Sequence, residues 1–295
     1  MTDARRDDKA NGTTTLMPYW DRVASRYAAE DPLAAVCYPA APRWFNRFYA
    51  YFQLRAVTRM LADEQLAGMR ALDVGCGSGR WSRWMRDRGA HVTGIDPTPA
   101  MLETAERLSP GVEFRRMSAT DIDFPTDTFD FVLSVTVIQH LHPEEQVKAV
   151  ASMCRVLKPG GRIFLLDLID HNDPGRLVFP RRPEAWINLY QENGVRLVRW
   201  EGQEYVPLIR MLTALLPSQR NHGGDVKAPS VIEDIGKKRH IFFATWPIIM
   251  LSYPLELLCE KIMPSEWGRH ASFLFEKPLK RAARGGGSPA REPGA

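Results

Sequence analysis

The chain has 295 residues, 44% hydrophobic and 25% charged, the composition of an ordinary soluble globular protein with room for one large domain or two small ones. Its 39 basic and 35 acidic side chains leave a formal net charge of +4, too balanced and too evenly mixed to argue for a nucleic-acid partner. Cys37, Cys76, Cys154 and Cys259 lie far apart with no CxxC pair, which argues against a zinc site and for free thiols in a reducing, cytoplasmic setting.

In chain order, residues 1–15 and 280–295 are polar or Gly/Pro-rich and read as disordered tails, the first without the apolar stretch of a secretory signal. Residues 16–66 read as a helical cap. "PYWDRVASRYA" puts Tyr19, Trp20, Val23 and Tyr27 on one helical face, and a second aromatic run containing Tyr38 and Trp44 continues as a helix to about Leu61. From residue 67 to 201 strands and helices alternate. "RALDV", "HVTGI", "VEFRR", "FDFVLSVTVI", "RIFLLDL" and "VRLVRW" are apolar strands. Between them "RWSRWMRDR", "PAMLETAERL", "PEEQVKAVASMCRVL" and "PEAWINLYQENG" have helical spacing. Thr98 is placed to cap the second of these helices, with Pro99 at its first position. In the third, Val147, Val150, Cys154 and Leu157 mark the expected buried stripe.

Residues 202–268 read as a mostly helical insertion, a lid or substrate subdomain with 216–229 as its flexible part, before a last strand over 269–279. The apolar stretch 241–258 is broken by Pro247 and Pro254, ends its charge-free run at Glu256, and falls short of the ~20 residues a spanning helix needs. A buried or lid-forming segment is its simplest reading. The basic "KKRH" at 237–240 makes peripheral membrane contact through 237–258 the alternative. The expected fold is α/β: a Rossmann-like sandwich with a mainly parallel sheet, an antiparallel final strand, the helical cap and the insertion. Ligands of such sheets bind at the carboxyl ends of the strands.

That rule draws attention to "LDVGCGSGR". Gly75, Gly77 and Gly79 alternate directly after the first strand, at a cost in backbone entropy that a plain turn would incur once. The dinucleotide pattern GxGxxG has its third glycine where this chain has Arg80, which obstructs the close helix–strand packing that turn needs, so a nicotinamide enzyme ranks second. "LDVGCGSG", "VTGID", "MSATDIDFPTDTFDFVLS" and "VLKPGG", in this order over about 71–168, resemble the class I S-adenosylmethionine-dependent methyltransferases.

The resemblance implies S-adenosylmethionine as cofactor. It implies backbone at Gly75, Cys76, Gly77 and Gly79 approaching the methionine tail, with Asp73 orienting the loop or accepting from the ammonium. Asp96 then accepts both ribose hydroxyls, Pro97 and Met101 sandwich the adenine, and Ser134 and Val135 lie under the sulfonium. Where the family often has an acid for the adenine amine this chain has Ser118, leaving Ser118, the Ala119 backbone or Asp121 to serve. An oxygen nucleophile also needs a base. His140, in "IQHLH", is the candidate; a structural strand-end histidine is the competing role, and His142 before Pro143 reads as a helix-entry residue. After the fifth strand Asp167, Asp170, His171 and Asp173 group together, and the carboxylate oxygens among them could serve magnesium, but such residues are ordinary in loops and no metal is expected. Tyr19, Trp20, Tyr27, Tyr38 and Trp44 are candidate substrate walls, with core packing as their alternative. The function expected is methyl transfer to a small or lipid-like acceptor at oxygen; the alternatives are a silent S-adenosylmethionine-binding protein and a lipid-linked acceptor reached at a membrane.

Overall fold

The strands and helices read from the sequence assemble into one seven-stranded sheet covered on both faces. The structure, a computed structural model, describes residues 17–37, 39, 41–169, 178–204, 247 and 254–279. The strands are β1 (Arg70–Val74), β2 (His91–Asp96), β3 (Glu113–Arg116), β4 (Phe129–Val135), β5 (Leu157–Leu168), β6 (Arg196–Gln203) and β7 (His270–Glu276). Their order across the sheet is β3-β2-β1-β4-β5-β7-β6. The first five run parallel, and β7 inserts antiparallel between β5 and β6. Strand order reverses between β1 and β4, which puts a crevice beyond their carboxyl ends.

The helices are α1 (Met17–Val23), continued by a π-helical turn over Ala24–Ala28, α2 (Pro32–Val36), α3 (Arg43–Met60), α4 (Arg80–Arg86), α5 (Pro99–Leu108), α6 (Pro143–Val156) and α7 (Pro183–Glu192). A further helical stretch covers 254–262. Side chains of β5 alternate between two cores, as the period of two requires. Ile163 and Leu165 join Val150, Met153, Trp186 and Phe273 under α6 and α7, whereas Phe164 and Leu166 join Val57, Met60, Met85 and Leu274 under α3 and α4. Each such side chain, fully buried, contributes about 1.5–3 kcal/mol. A smaller cluster joins the cap residues Val23, Ala24, Ala28 and Ala35 to Met101 of α5.

The structure corrects several local expectations. β4 stops at Val135 instead of running to residue 138, because Thr136 turns the chain at φ +55° into the short 3-10 turn Ile138–His140. Val147 is 45% exposed and lies outside the buried stripe of α6, where Val150 and Cys154 are buried as expected together with Gln146 and Met153, and Leu157, though buried, already belongs to β5. Thr98 caps α5 without a side-chain bond; the Thr98 N–H donates instead to Asp96 Oδ1 at 2.9 Å. The tails, Tyr38, residues 170–177 with Asp170, His171 and Asp173, the segments 216–229 and 237–240, and most of the 202–268 insertion lie outside the described residues. Among the described residues no helix is long and apolar enough to cross a membrane.

Candidate functional site

The three glycines adopt left-handed backbone: φ is +69° at Gly75, +50° at Gly77 and +74° at Gly79. A side chain at any of them would cost about 1–2 kcal/mol from this conformation alone. Gly75 and Cys76 both donate their N–H to Ile95 O, at 2.8 and 2.9 Å, which pins the loop across the end of β2. The space over the loop is not open. A Cβ at Gly75 would sit 2.5 Å from both methyls of Val137, one at Gly77 would lie 2.7 Å from Val36 Cγ1 of the cap, and one at Gly79 would lie 2.8 Å from Ser109 Oγ. The faces expected to meet a ligand directly are packed by protein. The glycines serve first to let β4's exit loop and α2 close on the turn.

Around this loop the acids are deeply buried. Asp73 accepts from Ser82 Oγ at 2.6 Å, joining the end of β1 to the start of α4. Burial is the main cause that raises its pKa to about 7, with the negative charge of Asp96 adding to it. Asp96 accepts from the Gly77 N–H at 3.0 Å through Oδ2 and from Thr98 through Oδ1. Burial raises its pKa too, opposed by those backbone bonds. The Thr98 side chain donates to Asp96 as well, so three of the about four lone-pair sites of the carboxylate are engaged within the chain. Ser134 Oγ, at the end of β4, is buried and has no hydrogen-bond partner. Two buried acids with spare acceptor capacity beside an unpartnered hydroxyl fit a cationic ligand that carries hydroxyl groups.

The cap closes over this end of the sheet. Trp20 meets His140 edge-on, ring centroids 5.1 Å apart, and Tyr19 packs on Trp20 in the same manner. Tyr19, Trp20 and Tyr27 lie against the cluster that contains Met101. Trp44 instead sits edge-to-face with Phe45 on α3. Ala119 and Val135 are buried, Ser118 Oγ pairs with the Thr120 hydroxyl at 2.8 Å, and Pro97 O accepts from Arg116 at 3.3 Å. The His140 turn is tied down by Gln139: its Oε1 accepts from Leu168 N–H at 2.7 Å, and its Nε2 lies 3.4 Å from His140 Nε2. Asp167, expected among loop oxygens, is fully buried in β5 with neither oxygen hydrogen-bonded at normal geometry. Burial lifts its pKa well above the usual range, against the pull of the backbone N–H groups of Gln139, Val137 and Ile138. Among the described residues no His/Cys/Asp/Glu group of three or more could hold a metal.

Sequence reasoning missed Val36 and Val137. Nothing in local pattern links Val36 to Gly77, because the contact is made by chain segments 41 residues apart in sequence.

A family model described as a methyltransferase domain matches residues 71–161. A ubiquinone biosynthesis O-methyltransferase of Pseudomonas syringae is 36% identical over 160 residues, covering 50% of this chain and 67% of that protein. The chain belongs to the class I S-adenosylmethionine-dependent methyltransferases. A second relative with the same name, from Marinobacter nauticus, is 37% identical over 138 residues, and there the match spans 57% of its length. Structures with the same fold include the [4+2]-cyclase SpnF (TM-score 0.51, 20% identity, covering 76% of this chain and 80% of that one). Another is a sarcosine dimethylglycine methyltransferase from Galdieria sulphuraria (TM-score 0.51, 18% identity, 77% and 84%). S-adenosylmethionine is therefore this methyltransferase's cofactor, and the buried acids match its cationic, hydroxyl-bearing chemistry.

Proposed function

We propose that this methyltransferase transfers a methyl group to the hydroxyl oxygen of a small, lipid-like acceptor, and that it works in the cytoplasm. The observation that carries the reading is the pair of buried acids, Asp73 and Asp96, on either side of a glycine loop in a chain whose relatives are O-methyltransferases of ubiquinone biosynthesis. Bound S-adenosylmethionine supplies an electrophilic methyl carbon. The chain has to hold that carbon in line with an oxygen nucleophile and exclude water.

In this reading Asp96 receives the ribose hydroxyls, one of them in place of the Thr98 side chain, while its backbone bonds hold the loop. Asp73 receives the ammonium, and the N–H and C=O groups of Gly75, Cys76, Gly77 and Gly79 frame the methionine tail. Pro97 and Met101 flank the adenine, Ser118 or Ala119 reads its edge, and Ser134 and Val135 support the sulfur end. Because Val36, Val137 and the Met101 cluster occupy the crevice mouth, the described arrangement is a cap-closed one, and donor entry requires α1 and α2 to move. Tyr19, Trp20 and Tyr27 wall the acceptor space, and His140 stands on its rim.

Incubation with methyl-deuterated S-adenosylmethionine and hexylcatechol, followed by mass spectrometry, tests this. Label on the catechol oxygen is expected, and donor binding without transfer to any hydroxyl compound overturns it in favour of a silent binding protein. Peripheral membrane contact is the second reading. It is supported by Leu258 (50% exposed), Ile262 (67%) and Trp267 (59%), large apolar side chains left in solvent near the end of the insertion. Flotation with anionic liposomes checks it, and a protein left entirely in the dense fraction counts against it.

A further inference from the structure

We infer that His270, held by Glu204, is the group that takes the proton from the acceptor hydroxyl; this rests on the O-methyltransferase reading above. Because β7 is antiparallel, its first residue stands at the same edge of the sheet as the last residues of β5 and β6. His270 is in register with Leu168 on one side and Gln203 on the other. Alternation along β7 sends Ala271, Phe273 and Phe275 under α6 and α7, and Leu274 under α3, so His270 shares the α3 face.

There Glu204 Oε2 lies 2.9 Å from His270 Nδ1, and Tyr49 of α3 hydrogen-bonds the same carboxylate. The Glu204 charge also reaches Cys37 at the end of α2, which is 4.0 Å from the Arg80 side chain that follows the glycine loop. On the other side, the Leu168 N–H holds Gln139 and so the His140 turn. The buried Glu204–His270 pair thus stands at the carboxyl edge of the sheet, within electrostatic reach of the cap at Cys37 and in register with the strand end that holds the His140 turn.

The chemistry follows from the donors and acceptors. A carboxylate only accepts, so Nδ1 carries the hydrogen that faces Glu204, and in the neutral ring Nε2 then keeps its lone pair. The contact with Glu204 is made through Nδ1, which leaves Nε2 on the far edge of the ring from the carboxylate. His140 is placed differently. Its neighbour Gln139 has its oxygen committed to the Leu168 N–H, so the amide NH2 is what faces His140 Nε2.

The position of Glu204 is also built with strain. It is a non-glycine residue at φ +57°, held there by Arg269, whose N–H lies 3.0 Å from Gln203 O and 3.3 Å from Glu204 O. The 3-10 turn Ser265–Trp267 presses on the same strand end: a Cβ at Gly268 would come 2.6 Å from Gln203 N, and one at Gly202 would collide with Ser265 O. Strain of this kind persists only where the surroundings over-determine it, which suits a group that must be aimed. In the transfer step the acceptor oxygen forms its bond to the methyl carbon, and the electron pair of the broken C–S bond stays on sulfur. The hydroxyl proton passes to His270 Nε2. The resulting imidazolium is balanced by Glu204 and returns its proton to water when product leaves.

The test uses the full chain with hexylcatechol as acceptor probe. His270→Ala is expected to lower kcat by about 100-fold or more, the usual share of a general base, with the Kd for S-adenosylhomocysteine unchanged and added imidazole restoring part of the rate. Glu204→Gln is expected to lower kcat by roughly 10-fold and to disturb the His270 tautomer in long-range spectra of nitrogen-labelled histidine. If His270→Ala does not fold, those spectra of the wild-type protein still decide. The expected result is His270 as Nδ1–H with an Nε2 signal that shifts on adding hexylcatechol. An Nε2–H tautomer, an Nε2 signal indifferent to the probe, or a His270→Ala enzyme within twofold of wild type while His140→Ala is dead overturns the inference. Wild-type protein that binds S-adenosylhomocysteine but methylates no hydroxyl sinks the O-methyltransferase reading instead, and the spectra are then read without the kinetics.

Discussion

Replacing Asp96 by alanine removes two things at once. In the folded chain its carboxylate accepts the N–H of Gly77 at 3.0 Å and of Thr98 at 2.9 Å, fixing the glycine loop to the start of α5. In the proposed complex the same two oxygens accept the ribose hydroxyls. Hydrogen bonds to a charged group are worth about 1.5–3 kcal/mol each, but alanine leaves room for water to recover part of that. A net loss of about 1–3 kcal/mol in cofactor affinity is the expected outcome, a factor of roughly 5 to 150 in Kd. Titration calorimetry with S-adenosylhomocysteine measures it directly. Urea unfolding run beside it separates loss of the ligand contact from loss of the loop. The unfolding free energy should fall by about 1 kcal/mol or more as well, since two backbone donors lose their partner. Unchanged affinity in Asp96→Ala, on protein that remains folded, refutes the assignment of this carboxylate to the ribose.

Three further predictions follow from the geometry. Gly75→Ala combines a left-handed φ of +69° with a 2.5 Å approach to the Val137 methyls, and should lower stability by about 2 kcal/mol or more in chemical denaturation; adding Val137→Ala recovers only the clash. The pKa of Asp73 is raised from 3.8 in its unperturbed state to about 7 in the folded chain, so its contribution to stability is complete below pH 4 and is lost as pH rises toward and through 7. Asp73→Asn should flatten that slope, at most about 1.4 kcal/mol per pH unit, in denaturation curves taken between pH 5 and 8. Tyr190 stacks on Phe275 with ring centroids 4.2 Å apart, while its buried hydroxyl has no partner. Tyr190→Phe should therefore be neutral or stabilising by thermal unfolding, and a loss above about 1 kcal/mol would mean the hydroxyl is hydrogen-bonded after all.

What the sequence made legible was whatever depends on near neighbours. Strand and helix periodicity located β1, β2, β5 and β7 and the helices α5, α6 and α7, because an apolar period of two or 3.6 is a property of a short window. The glycine turn and Asp96 were visible for the same reason: each lies at a strand end, where backbone direction and ligand position are coupled. What escaped were contacts made by folding. Val36 reaches Gly77 from the cap, Gln139 ties His140 to Leu168, and Glu204 meets His270 across 66 residues. His270 in particular reads in the sequence as a polar residue opening a strand. Only the antiparallel insertion of β7 brings it to the carboxyl edge. The extent of β4 was misjudged because Thr136, β-branched and strand-favouring by propensity, is forced to positive φ where the chain must turn toward the cofactor loop.

Equilibrium dialysis of the purified chain against labelled S-adenosylmethionine tests the central claim most directly. One saturable site per chain, competed by S-adenosylhomocysteine and left untouched by NADPH, is the result that the buried acids and the glycine loop require. Retention of no donor at millimolar concentration, or displacement of the donor by the nicotinamide nucleotide, would contradict it.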